Sequence, residues 1–305
     1  MSRTRTVVSF SGGKDSVATW LYLERELGLD VTCLFADTGW ESPVTHDYIA
    51  HLVSEHRLQV VRVQGTMRQL RADLPDEPLT MEALAKHKGR FPSAMARFCT
   101  TELKLKPMKA WLDLSRAAEP ETVFRLASGV RAQESAKRAA SDPALLPDDF
   151  MGVDRFLPIH GWSVEDVFEI HRRHRVPPNP LYTDGFSRVG CFPCIMSSKS
   201  DLRAMAERHP DGFEKLAAME ASVGGLAARG QAAFFSPDKA PLRFSSTRDR
   251  GGHPLLFADD IRRWATNDLP ALNLFAGAGL PMVEIEDEGD DAAAPACSSV
   301  YGLCE

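Results

Sequence analysis

A short apolar strand, Thr6-Val7-Val8-Ser9-Phe10, runs directly into Ser11-Gly12-Gly13-Lys14-Asp15-Ser16 and then into a segment with helical spacing. That segment, Asp15 to Leu27, places Val17, Trp20, Leu21 and Leu27 on one face. A strand, a glycine loop and a helix in this order form a phosphate-binding arrangement. The glycines let backbone N–H groups approach anionic oxygens, the helix N-terminus adds the positive end of its dipole, and Lys14 adds a full charge. Ser11 and Ser16 add hydroxyl donors. Asp15 is unexpected beside a phosphate, unless it caps the helix or works through a divalent metal. The loop matches neither G-x-x-x-x-G-K-[ST] nor G-x-G-x-x-G.

The same alternation continues. Val31 to Ala36 reads as a second strand, Thr45 to His56 as a helix and Gln59 to Val63 as a third strand. Leu103 to Leu114 reads as a helix that tolerates Pro107 in its first turn. Glu121 to Ala127 reads as a fourth strand and Arg155 to Ile159 as a short fifth. This order predicts an α/β fold, a doubly wound, mostly parallel five-stranded sheet with helices on both faces. Such sheets bind ligands beyond the carboxyl ends of their strands, where the loops after Phe10 and Ala36 lie. Ser163, with Asp166 three residues later, starts a helix that Pro177-Pro178-Asn179-Pro180 ends. Leu202 to Arg208 and Phe213 to Val223 predict a mainly helical C-terminal extension.

The expected organisation is a nucleotide-binding core over 1–160 and a helical Cys-x-x-Cys segment over 161–223. An extension over 224–286 and a mobile acidic tail over 287–305 follow. The net charge of −6 speaks against a general nucleic-acid binder but leaves room for a local basic patch. The opening residues carry no secretory signal and no apolar run is long enough to span a bilayer, so a cytoplasmic protein with no membrane partner is expected.

The loop Ser11 to Ser16 resembles the S-G-G-x-D-S loop of the N-type ATP pyrophosphatases, the PP-loop superfamily. Later segments resemble its phosphoadenosine phosphosulfate (PAPS) reductase branch. They are Phe35-Ala36-Asp37-Thr38-Gly39 with Glu41, Arg97-Phe98-Cys99-Thr100 with Lys104 and Pro107, and Gly129-Val130-Arg131-Ala132 with Glu134, Ser135 and Arg138. Pro158, Trp162 and Asp166 follow, then Pro178 to Tyr182 and Arg188-Val189-Gly190-Cys191-Phe192-Pro193-Cys194. The resemblance implies that an adenine nucleotide, ATP or PAPS, is held by Ser11, Gly12, Gly13, Lys14, Asp15 and Ser16. It places Asp37 and Thr38 near ribose and adenine. It places Gly129 and Arg131 on the same edge, with Arg131 suited to phosphate and, as the bland alternative, a surface partner of Glu134.

There are six cysteines, expected to be reduced in the cytosol. Cys191 and Cys194 form a C-x-x-C, which alone is open to a redox dithiol, half a zinc site or part of an iron–sulfur site. Cys99 lies in a segment that resembles the first cluster-binding segment of adenylylsulfate reductases. Those enzymes hold a [4Fe-4S] cluster with a Cys-Cys pair and a C-x-x-C. Thr100 stands where the pair's second cysteine would be, so Cys99, Cys191 and Cys194 carry over as three metal ligands, with zinc as the competing occupant. Cys33 reads as core, and His171 and His174, beside Arg172, Arg173 and Arg175, as a solvated basic face. Cys297 and Cys304 sit in the tail. Cys304 is a candidate nucleophile, although Tyr301-Gly302-Leu303-Cys304-Glu305 departs from the Glu-Cys-Gly-Leu-His-type segment of PAPS reductases.

The resemblance implies an ATP-dependent sulfurtransferase that uses Mg²⁺ and releases pyrophosphate, with Lys14, Asp15 and Arg131 in the catalytic step. Sulfur would pass through the three-cysteine site to an acceptor, a nucleic acid among the candidates. The alternatives are a thiol-dependent PAPS or adenylylsulfate reductase and a non-catalytic nucleotide sensor. A sulfur- or electron-donor protein and a homodimer are the expected partners.

Overall fold

The structure, a computed structural model, describes residues 3–267. The expected tail, with Cys297 and Cys304, lies outside the described residues. The chain runs β1 (Arg3–Phe10), α1 (Lys14–Trp20), β2 (Val31–Ala36), α2 (Pro43–His56), β3 (Val60–Val63), α3 (Met67–Leu70) and α4 (Met81–Lys88). Next come α5 (Lys106–Ala118), β4 (Thr122–Ser128), α6 (Ala136–Ala139), β5 (Leu146–Asp148), β6 (Val153–Phe156) and α7 (Val164–Arg173). The chain then runs α8 (Lys199–Arg208), α9 (Asp211–Gly224), the small β7–β8 pair (Thr247–Arg248 and Pro254–Leu255) and α10 (Ala258–Ala265). A π-helical stretch, Leu21–Glu26, prolongs α1, and another, Thr100–Leu105, leads into α5.

The main sheet has the order β3-β2-β1-β4-β6-β5. It holds six strands, not five. The addition is β5, which pairs antiparallel with β6; its three residues, Leu-Pro-Asp, are too few to show a hydrophobic alternation. The other neighbours are parallel. Successive residues of β1 serve opposite faces. Val8 and Phe10 join Trp20, Phe35, Leu52 and Val167 under α1, α2 and α7. Val7 joins Leu34, Leu126, Met108 and Leu112 under α5. Both faces are covered, which is why β1 and β2 read as apolar runs rather than alternations.

Chain direction across the sheet reverses between β1 and β4, making this the switch point of the fold. Ser9 pairs with Ser128, so the loops after β1 and β4 leave the sheet side by side. Gly129 is a glycine for this reason: a Cβ there would lie 2.9 Å from the carbonyl oxygen of Asp15. Gly12 turns with φ +77°, in the left-handed region that favours glycine. A third core joins Leu84, Phe91, Leu202, Phe213 and Leu216 to Phe234, Leu256, Ile261 and Trp264 of the extension. Trp40, Cys99, Cys191 and Phe192 pack against it from the sheet's carboxyl edge.

Candidate functional site

Asp15 is fully buried, and α1 has no side-chain cap, so Asp15 is not the helix cap. Its carboxylate is clamped between two cations that come from opposite sides of the switch point. Lys14 Nζ donates to one oxygen at 2.8 Å and Arg131 Nε to the other at 2.5 Å. One carboxylate against two cations leaves the loop with a net positive charge, which suits an anionic ligand. Arg131 is 4% exposed and is not a surface partner of Glu134. Glu134 instead accepts the backbone N–H of Arg131 at 2.7 Å and pairs with Arg138.

The loop backbone is braced by segments far along the chain. Asn179, buried, donates from Nδ2 to the Gly12 carbonyl at 3.3 Å. The Lys14 N–H donates to the Tyr182 hydroxyl at 3.0 Å, and the Lys14 ammonium lies 5.3 Å from the centre of that ring. His171 lies inside, not on a solvated face: it is 2% exposed, with Nε2 2.9 Å from the Lys14 carbonyl and Nδ1 3.0 Å from that of Val176. Burial lowers its pKa from the ordinary 6.5, against the pull of the two carbonyls. The basic residues around it hid its inward direction; Phe168 and Val176 were the apolar neighbours that could have shown it.

The loop after β2 is a polar hub. Asp37 pairs with Arg62 at 2.7 Å and accepts the Gly39 N–H at 2.8 Å. Thr38 is buried, with its hydroxyl donating to Glu41 at 2.6 Å. Among the described residues, Asp37, Glu41 and His46 are the set whose donor atoms gather within 4.8 Å. Each already has a protein partner there, since His46 Nδ1 meets Arg62 at 3.1 Å. The same hub reaches the C-x-x-C. Glu41 and Cys191 form an isolated antiparallel bridge, the Phe192 N–H donates to the Trp40 carbonyl at 2.7 Å, and Trp40 Nε1 donates to the Pro193 carbonyl at 3.0 Å.

Cys99, Cys191 and Cys194 line one cavity of about 50 Å³, together with Lys104, Arg188 and Phe234. A neighbouring cleft is lined by Ser11, Glu41, Gly190 and Lys104. Lys104, 7% exposed, therefore faces both the glycine loop and the cysteines. In the sequence Lys104 stands out only through the family resemblance; its position in the π-helical turn ahead of α5 is what turns it inward. Burial pushes the Cys191 thiol well up, while Lys104 pulls it down. Burial likewise raises the Glu41 carboxyl, opposed by Lys104 and the Thr38 hydroxyl.

The donor set decides what the cavity suits. Three thiols lining one cavity are a donor set that suits a soft metal, zinc or an iron–sulfur cluster, and Thr100 lines the same cavity. The three cysteines form no donor set within 4.8 Å of one another. Cys33 is buried in the core, as expected.

The chain is 36% identical over 281 residues to the uncharacterized 37.8 kDa protein in the gpa 5′ region of Escherichia phage 186, covering 79% of this chain and 81% of that one. It is 30% identical over 196 residues to the adenosine 5′-phosphosulfate reductase of Allochromatium vinosum, covering 63% of this chain and 69% of that one. The crystal structure of the PAPS reductase from Candida auris, a phosphate complex, aligns with a TM-score of 0.42 at 15% identity, covering 63% of this chain and 82% of that one. Among the described residues no helix is long and apolar enough to cross a membrane. Residues 5–197, which hold the glycine loop, Arg131 and the three cysteines of the cavity, match the phosphoadenosine phosphosulfate reductase domain, and the chain belongs to that family.

Proposed function

We propose that the protein is an oxidoreductase of sulfur: it holds an adenine sulfonucleotide, adenylylsulfate or PAPS, at the loop Ser11 to Ser16 and reduces it with thiols. The observation that carries this reading is Lys104, which lines both the cleft beside Ser11 and the cavity of Cys99, Cys191 and Cys194. A nucleotide anchored by its phosphate at Lys14 and Arg131 has its sulfonate within reach of that gap. Asp15 holds the two cations in place, and they neutralise the phosphate that the reaction releases. A thiolate attacks sulfur, the sulfur–oxygen bond breaks and the nucleoside phosphate leaves. A second thiol then attacks the first, forming a disulfide and releasing sulfite, so that sulfur gains the two electrons the thiols lose. Cys191 and Cys194 have dithiol spacing, and Cys304, outside the described residues, is a further nucleophile. The names of relatives such as the Allochromatium vinosum reductase support this chemistry. A thiol- or electron-donor protein would restore the reduced state.

Thr100 favours a second reading. Cys99, Cys191 and Cys194 would hold an iron–sulfur cluster by three thiolates, and such a cluster would supply sulfide-level sulfur for transfer. ATP would then take the place of the sulfonucleotide: the acceptor, a nucleic-acid base among the candidates, would be adenylylated with release of pyrophosphate, and AMP would leave as sulfur replaces the activated oxygen. Asp15 would exchange a contact to Lys14 or Arg131 for Mg²⁺. Product identity separates the readings: sulfite from adenylylsulfate or PAPS supports reduction. Pyrophosphate from ATP, with iron and acid-labile sulfide that vanish in Cys191→Ala, supports transfer. Nucleotide binding without turnover would leave a sensor.

A further inference from the structure

Tyr182 meets Lys14 twice, at its backbone and at its side chain. The Lys14 N–H donates to the phenol oxygen at 3.0 Å, and the Lys14 ammonium lies 5.3 Å from the centre of the ring, a cation–π distance. The same ammonium donates to Asp15 at 2.8 Å, and Arg131 holds the other oxygen of that carboxylate. An anion that settles on Lys14 therefore settles beside the phenol. The ring is fixed there by its own segment. Pro180–Tyr182 is a single 3-10 turn, in which the Tyr182 N–H donates to the Asn179 carbonyl at 3.0 Å and the Thr183 N–H to that of Pro180 at 2.9 Å. Asn179, fully buried, accepts the Leu181 N–H at Oδ1 at 3.0 Å and donates from Nδ2 to the Gly12 carbonyl. Leu181, between them, is buried and lines the cysteine cavity. Tyr182 itself stays partly exposed at the glycine loop.

A phenol oxygen that accepts from an N–H keeps its own proton to give. Accepting polarises the O–H bond and makes it the stronger donor. The charge of the loop is already set by Asp15 against Lys14 and Arg131, so a neutral donor adds a contact to a phosphate without adding charge. We infer that Tyr182 is a substrate-binding residue: its hydroxyl, oriented by the Lys14 N–H, donates to a phosphate oxygen of the nucleotide, and its ring keeps the Lys14 ammonium at that phosphate. This rests on the nucleotide reading proposed above and adds a residue to it. Asn179 is a positioning residue, since it ties the turn that carries the phenol to the carbonyl of Gly12.

The test is calorimetric titration of the full-length protein with AMP, with adenosine and with inorganic phosphate. Tyr182→Phe keeps the ring over Lys14 and removes the hydroxyl. It should weaken AMP binding about tenfold or more, the worth of one hydrogen bond to a charged group, and leave adenosine within about twofold. Tyr182→Leu, without the ring, should weaken AMP further. Should Tyr182→Phe disturb the fold, 3-fluorotyrosine at this position carries the comparison. Its hydroxyl is the stronger acid, so the loss of AMP affinity as the hydroxyl ionises should move to lower pH. Wild-type AMP affinity in Tyr182→Phe overturns the inference. So does tighter binding, which would make the hydroxyl a plug in the seat, and so does an equal loss for AMP and adenosine, which would make Tyr182 a support of the loop. Hydroxyl-dependent binding of phosphate without AMP would sink the nucleotide reading and leave the phenol at an anion seat. Hydroxyl-dependent AMP binding in a protein that releases no sulfite from either sulfonucleotide would sink the reductase reading alone.

Discussion

Glu41 and Cys191 meet in an isolated antiparallel bridge that joins the loop after β2 to the C-x-x-C. Trp40 reinforces it on both sides, accepting from the Phe192 N–H and donating to the Pro193 carbonyl. The loop that the family resemblance places near ribose is thereby the support of the cysteines. Under the proposed function, one piece of backbone would position both nucleotide and thiols.

Trp40→Phe tests that support. It removes one hydrogen bond, worth about 1 kcal/mol net, while keeping an aromatic ring against Phe234. AMP affinity should remain within about twofold. Turnover should fall about tenfold, because a displacement of the order of 1 Å at the reacting group is costly. Titration calorimetry and a sulfite assay on the same sample separate the two effects.

The Asp15 carboxylate is the second test. Removing one partner of a buried ion pair leaves the other charge uncompensated, at a cost of about 3–5 kcal/mol. Asp15→Asn should therefore lower the urea midpoint strongly, with nucleotide or phosphate recovering part of the loss by neutralising Lys14 and Arg131. Arg131→Lys keeps the charge but loses the forked donor, and should weaken AMP binding about tenfold. Wild-type stability in Asp15→Asn would show that the clamp does not hold the loop.

Two buried groups give stability opposite slopes with pH. Burial lowers the His171 pKa, so around and below pH 6.5 the unfolded chain binds the proton first, and stability falls as the pH falls. Burial raises Glu220 from 4.5 to about 7, so between those values the native state holds more protons, and stability falls as the pH rises. His171→Gln should flatten the acid-side slope and Glu220→Gln the slope between pH 4.5 and 7. Denaturant titrations at half-unit pH steps measure both, and unchanged slopes would contradict the assignments.

Much of the core was legible in the sequence because its signals are local. Val7 to Phe10 and Val31 to Ala36 are apolar runs, the glycine pair announces the turn, and Ser163 with Asp166 forms the capping box expected of it. Pro107 sits in the first turn of α5. The parts that did not read depend on distant partners. His171 looked solvated among arginines because only the fold brings the Lys14 carbonyl to it. Asn179 and Tyr182 stand in a segment that carries the family resemblance, but nothing local in it shows their hold on Gly12 and Lys14. The helix α10 pairs its apolar face, Ile261 and Trp264, with α8 and α9, and its short length gave the periodicity too little room to show. Lys104 is an ordinary lysine until packing sets it in the cavity with the thiols.

The central claim is that the glycine loop and the cysteine cavity act as one site on one nucleotide. Sulfite release from adenylylsulfate and PAPS, with a dithiol as reductant, tests it most directly when wild type is run beside Lys14→Met, Lys104→Met and Cys191→Ala. The account predicts release by wild type with one of the two nucleotides and at least a hundredfold loss in Lys14→Met and Cys191→Ala. It also predicts that Lys104→Met loses turnover while AMP affinity falls by less than about tenfold. Release that survives in Cys191→Ala, or a wild type that binds AMP yet releases no sulfite from either nucleotide, would contradict it.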